Sequence, residues 1–217
     1  MLEVKIKELK QDIIEFATLV ENMLEKSVRG LLKKDAHILH EVLDVDESHA
    51  NAFDILIDEK CINTVAQFQP RARDLRTILM ILKMGSDLER LGDGAVNICK
   101  SALFLIERPP VKPLIDLPRL AEAAIAMLKD SILAFINEDG ISAKEICARD
   151  TYVDELRDRI IAELTQIMIR DATTVERVLE LMDITRKLER AADLSTNVCE
   201  DVIFMVQGKV IKHHKDE

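Results

Sequence analysis

The sequence predicts an all-α fold, a tandem repeat of two antiparallel three-helix bundles with six long helices. Apolar residues recur at three- and four-residue steps through most of the 217 residues. Leu, Ile, Glu, Asp, Lys, Arg and Ala dominate, while six Gly and five Pro leave little room for a turn-rich β-protein. The chain also repeats itself. Residues 88–99, LERLGDGAVNIC, return a hundred positions later as LERAADLSTNVC, agreeing at Leu88/Leu188, Glu89/Glu189, Arg90/Arg190, Asp93/Asp193, Asn97/Asn197 and Cys99/Cys199.

The first helix is expected over residues 4–33, where Ile6, Leu9, Ile13, Phe16, Val20, Met23, Leu24, Val28 and Leu31 mark one face. A break near Lys33-Lys34-Asp35 leads to a second helix over 36–68, with Leu39, Leu43, Ala50, Phe53, Ile57, Cys61, Ile62 and Val65 apolar. Phe68-Gln69-Pro70 turns the chain, because proline cannot continue a helix interior and restrains the residue before it. A third helix then runs over 74–107 and carries the first copy of the repeated stretch.

Pro109, Pro110 and Pro113 make 108–116 the expected stiff linker between a first bundle (1–107) and a second (117–208). In the second bundle, helices are expected over 117–136, 142–169 and 174–206, with turns at Asn137-Glu138-Asp139-Gly140 and 170–173. Gly208 fits a helix stop, and 209–217, with His213 and His214, reads as a polar tail. The second helices of the two halves match at an offset of 103, which pairs Glu47 with Asp150 and Asn51 with Asp154.

The formal charge of −10 argues against a general nucleic-acid binder, which needs a basic surface, and suits cations or basic partner surfaces. Cys61, Cys99, Cys147 and Cys199 have neither CxxC nor zinc spacing and read as reduced thiols of a cytosolic protein. The N-terminus is charged and amphipathic, unlike a signal peptide, and no apolar run approaches the ~20 residues of a membrane helix.

Residues four apart on a helix lie one above the other. Glu89, Asp93 and Asn97 therefore form a ladder of oxygen-bearing groups, and Glu189, Asp193 and Asn197 form another. Asp150 and Asp154 repeat the spacing on the preceding helix of the second half, as do Glu47 and Asn51, or Asp54 and Asp58, in the first. The bland alternative is a solvated face with Arg90 and Arg190 compensating locally. A cluster of such sets would need a cation, and all-oxygen ligands suit Mg²⁺, Mn²⁺ or iron. A di-iron oxidase is not expected, since only Asp46-Glu47-Ser48-His49 approaches Glu-x-x-His and the second bundle, 117–208, has no histidine. No glycine-rich phosphate loop and no nucleophilic triad is suggested.

The stretch QPRARDLRTILMILKMGSDLERLGDGAVNI (69–98) resembles the signature of the PhoU family of phosphate-transport regulators, and LERAADLSTNVCEDVIFMVQGK (188–209) is similar to that family's C-terminal end. The resemblance implies a non-enzymatic cytoplasmic protein, usually a homodimer, recruited peripherally to membrane complexes. It implies negative regulation of phosphate uptake and of the starvation response, between the ATPase subunit of a phosphate ABC transporter and a phosphate-sensing histidine kinase. It also implies E(D)xxxD motifs holding divalent or trivalent metal ions (iron, Mn, Mg or Zn), carried here by Glu89/Asp93, Glu189/Asp193 and Asp150/Asp154. Asn51 departs from the usual acid after Glu47, and Ala192 replaces Gly92, which is expected to allow close helix approach or metal access in the first half. The alternatives are a regulator of another ion transporter and a metal-dependent carboxylate enzyme.

Overall fold

The helix pattern dictates the architecture found in the computed structural model, which describes residues 1–208. In order, the chain forms α1 (Leu2–Lys33), α2 (Ala36–Glu41), a π-helical turn (Val42–Asp46), α3 (Glu47–Phe68), α4 (Ala72–Ile106), α5 (Asp116–Asn137), α6 (Gly140–Cys147), α7 (Asp150–Arg170), a 3₁₀ turn (Ala172–Thr174) and α8 (Val175–Gln207). Among the described residues there is no strand, and no helix is long and apolar enough to cross a membrane. The tail expected over 209–217 lies outside the described residues.

Each half begins with the same reversal. At the end of α1, Lys34 takes a left-handed conformation (φ 54°), and the Asp35 carboxylate then accepts from the amides of His37 and Ile38 at 3.0 and 3.3 Å. At the end of α5, Glu138 does the same (φ 52°), and Asp139 accepts from Ile141 and Ser142 at 2.9 and 3.1 Å. A left-handed residue satisfies the last carbonyls of one helix, and an Asp cap worth about 1 kcal/mol starts the next. Gly30 is needed at the first reversal, because a Cβ there would lie 2.5 Å from the Leu39 side chain.

The second helix expected in each half is interrupted. In the first half the wide turn Val42–Asp46 joins α2 to α3; in the second, Ala148 and Arg149 separate α6 from α7. A π turn carries an extra residue that resets the helical register. That reset keeps Leu39 buried before the turn, Val42 buried at its start, and Ala50, Ile57 and Cys61 buried after it. Periodicity does not reveal it, since apolar positions continue on both sides.

α1, α3 and α4 enclose Phe16, Val20, Met23, Ile81, Met84 and Leu88, with the rings of Phe16 and Phe53 stacked at 5.6 Å. α5, α7 and α8 repeat the arrangement around Met127, Phe135, Leu156, Ile184 and Leu188. The halves pack directly on one another, α4 against α8 and α1 against α5, so that one continuous core spans both. Lys83–Asp201 (2.6 Å) and Lys10–Glu138 (2.7 Å) cross this junction. The proline segment is pinned by Arg177, which donates to the Pro109 carbonyl at 2.8 Å, and by the Lys112–Glu163 pair.

Candidate functional site

The two ladders lie on α4 and α8, each beside the preceding long helix of its own half. Burial of the apolar stripe sets what remains for the ladder. Leu88, Leu91, Ala95 and Val96 are packed inside on α4, which leaves Glu89 and Asn97 half-buried and Asp93 exposed. On α8, Leu188, Ala191, Ala192 and Val198 are inside, and Glu189, Asp193 and Asn197 are half-buried.

At the first face the carboxylates are gathered with little compensation. Burial pushes the Glu89 carboxyl above its usual range, and the charges of Asp93 and Asp54 push it further, with Arg90 offsetting only in part. Asp54 itself is raised by burial and by Asp58. Arg90 sits 3.7 Å from the buried Asp87, turned toward the junction with α8. The partner of Glu89 from the second helix is thus Asp54 and not Glu47, which lies half-buried in the first turn of α3 about two turns earlier.

At the second face an arginine stands among the carboxylates. Arg157 of α7 donates from Nη1 to Glu189 at 2.6 Å and lies 3.1 Å from Asp154 and 3.0 Å from Asp158. Arg190 pairs with Asp193 at 3.1 Å. Burial and then Asp193 raise the Glu189 carboxyl, and Arg157 draws it back. Asp150 opens α7, half-buried, one turn before Asp154. The offset of 103 that relates the second helices places Arg157 opposite Asp54, so one position of the repeat carries opposite charges in the two halves.

Among the described residues, no group of three or more His, Cys, Asp or Glu side chains is arranged as a ready-made metal site. The donor chemistry still separates the faces. The carboxylates of Glu89, Asp93 and Asp54, which Arg90 offsets only in part, suit a hard cation, whereas the guanidinium of Arg157 already supplies that charge at Glu189. Sequence reasoning included Asp54 and missed Arg157; the i, i+3 spacing of Asp154 and Arg157 carried only half of the signal, because Glu189 lies on another helix.

The expectation for Gly92 is corrected. A Cβ there would meet Ala50, Met23 and Val20 at ordinary contact distances of 3.7 to 3.9 Å, so the residue faces the apolar core of its bundle and not the acidic face. Close helix approach does not require it, and Ala192 occupies the equivalent buried position without difficulty.

The PhoU domain model matches residues 13–102 and again 117–202. The chain is 35% identical over 209 residues to the "Phosphate-specific transport system accessory protein PhoU homolog" of Aquifex aeolicus, covering 96% of this chain and 94% of that one. It is 30% identical to the accessory protein PhoU of Escherichia coli, covering 96% and 86%. The crystal structure of PhoU from Pseudomonas aeruginosa superposes with a TM-score of 0.93 at 28% identity, covering 96% of this chain and all of that one. The regulatory protein PhoU of Streptococcus pneumoniae, at 23% identity and a TM-score of 0.89, shares the fold. With both halves matched and curated relatives aligned over nearly their whole lengths, the chain belongs to the PhoU family.

Proposed function

We propose that this chain is a cytoplasmic, non-enzymatic regulator of phosphate homeostasis that restrains phosphate uptake and the starvation response. The observation that carries the reading is the near full-length alignment with accessory proteins of phosphate-specific transport systems, across both repeats. As a homodimer it acts between the ATPase subunit of a phosphate ABC transporter and a sensor histidine kinase, by binding one conformational state of a partner better than another. Ile55 and Ile62 are about 60% exposed, two turns apart on α3, and supply apolar contact area beside the acidic face.

The first acidic face would hold a hard cation such as Mg²⁺, Mn²⁺ or an iron ion. Glu89, Asp93 and Asp54 would supply its carboxylate ligands, with Asn97 a further oxygen on the same ladder. When bound, the ion supplies charge neutralisation and a bridge for acidic or phosphorylated groups. The chain's own part is to hold Asp54 of α3 against Glu89 of α4 through the core beneath them. At the second face, Glu189, Asp193, Asn197, Asp150 and Asp154 take a cation only when Arg157 moves aside.

Deletion of the gene tests the regulatory reading. Raised phosphate uptake and starvation-gene expression in phosphate-replete cells, restored by the wild-type chain, are expected. Unchanged uptake together with unchanged expression sinks it.

A further inference from the structure

The junction between the halves gathers cations. Arg90 of α4 and Arg190 of α8 are the same residue of the repeat, and the packing of α4 on α8 brings both to one cleft of about 240 Å³. Lys187, about one turn before Arg190, is the third cation of the lining, and Asp93, Gly94 and Asn97 line the α4 side. The cleft meets the first ladder at Asp93 and Asn97, while Glu89 and Asp54 lie outside it.

These cations have donors to spare. Arg90 lies 3.7 Å from the Asp87 carboxylate, beyond hydrogen-bonding distance. Arg190 gives one N–H to Asp193 at 3.1 Å, and a guanidinium carries five. Lys187 is half-buried, and among the described residues no hydrogen bond or ion pair engages its ammonium. A charge drawn partly out of water without a partner is unfavourable, and an anion in the cleft offsets that. Asp87 and Asp193 lie outside the lining, so Asp93 is the one carboxylate that faces the cleft among the described residues. In a chain of formal charge −10, this is a concave spot where cations outnumber acids.

We propose that the junction cleft binds orthophosphate between Arg90, Arg190 and Lys187. Each guanidinium offers paired N–H donors that match phosphate oxygens, and the ammonium adds a compact charge. Asp93 supplies selectivity: its carboxylate accepts the P–O–H hydrogen that orthophosphate carries at neutral pH and sulfate lacks. Because one arginine comes from each half, the bound anion bridges the two repeats across α4 and α8. The site depends on neither a bound cation nor the regulatory reading.

Equilibrium dialysis of labelled orthophosphate tests this, with the full chain first freed of metal by a chelator and sulfate and ATP as competitors at fixed ionic strength. One orthophosphate per chain should bind, with sulfate about ten-fold weaker. Lys187→Gln and Arg190→Gln should each weaken binding by about ten-fold or more. Lys100→Gln, which removes the same charge from exposed surface outside the cleft, should leave it unchanged. Gly94→Leu keeps every charge and improves helix propensity. A Cβ at that position meets nothing within 4 Å, so the new side chain has room to occupy the cleft and should abolish binding. No saturable binding, equal competition by sulfate, or tighter binding of ATP than of orthophosphate would overturn the proposal. So would an affinity that stays the same in Lys187→Gln, Arg190→Gln and Gly94→Leu, or binding that appears only when manganese is added back.

Discussion

Glu89 and Glu189 are the same residue of the repeat, on helices that pack in the same way, yet they meet opposite partners. Asp54 and Asp93 crowd Glu89 with negative charge, and Arg157 clasps Glu189 at 2.6 Å. The second ladder is further closed by Arg190 on Asp193, while Arg90 turns away toward Asp87, whose counterpart in the second half is Lys187. Both third helices thus keep the glutamate and aspartate of the ladder, and the change in character comes from single positions on their neighbours. A repeated motif fixes where carboxylates stand; the adjoining helix decides whether they need a cation from outside.

Exchanging the decisive position gives the largest expected effect. Asp54→Arg places a guanidinium beside Glu89 and should weaken cation retention at the first face by about ten-fold or more. Arg157→Ala should do the reverse, adding a second bound ion while costing about 1–2 kcal/mol of stability, because Glu189 loses a charge-assisted hydrogen bond in a half-buried site. Metal analysis of dialysed protein, with manganese titration of both variants, reads the outcome. Retention unchanged by Asp54→Arg would remove Asp54 from the site and end the contrast.

The fold was largely legible because long helices with one buried stripe write their period into the chain. Phe16, Val20, Met23 and Leu24, three and four residues apart, are all inside. The interruptions at Val42–Asp46 and at Ala148–Arg149 were not, since a register reset leaves apolar residues on both sides and no proline or glycine marks it. The ladders of Glu89 and Glu189 could be read within single helices. Arg157 could not be assigned to Glu189, nor Asp54 chosen over Glu47, because these contacts cross between helices whose relative slide depends on the packing beneath them. Gly92 misled for a related reason. Its place next to Asp93 suggested the ladder, but one residue is about 100° around a helix, and that rotation turns it into the core.

The comparison extends to the junction, where repeat-related positions again differ. Lys83 and Asp201 form the cross-junction pair, while their counterparts are Asp183 and Ser101. Asp201 is 5% exposed, its Oδ2 has no hydrogen-bond partner, and burial together with Asp87 pushes its carboxyl up to about 6 despite Lys83. The folded protein therefore holds this proton to higher pH than the unfolded chain, whose value is near 3.8. Stability from this group is greatest below about pH 4 and falls as pH rises to about 6, by a ceiling of about 3 kcal/mol. Urea midpoints of wild type and Asp201→Asn across that range isolate the effect. The difference between the two should change with the stated sign; a constant difference would place the proton elsewhere.

Gly92→Ala should change the protein least. It makes the first ladder's neighbourhood like that of the second at the one position where the repeated stretches exchange Gly for Ala within the core. The new methyl group would meet Ala50 and Met23 at ordinary contact distance, so nothing must move. Alanine also lowers the backbone entropy that the unfolded chain loses on forming α4, which favours the variant by about 0.5–1 kcal/mol. At this chain length that is a rise of about 1–4 °C in Tm, with cation retention at Glu89 unchanged. A variant that melted higher but lost its ion would show that Gly92 admits the cation after all, and the difference between the faces would then lie in α4 and α8 themselves instead of in Asp54 and Arg157.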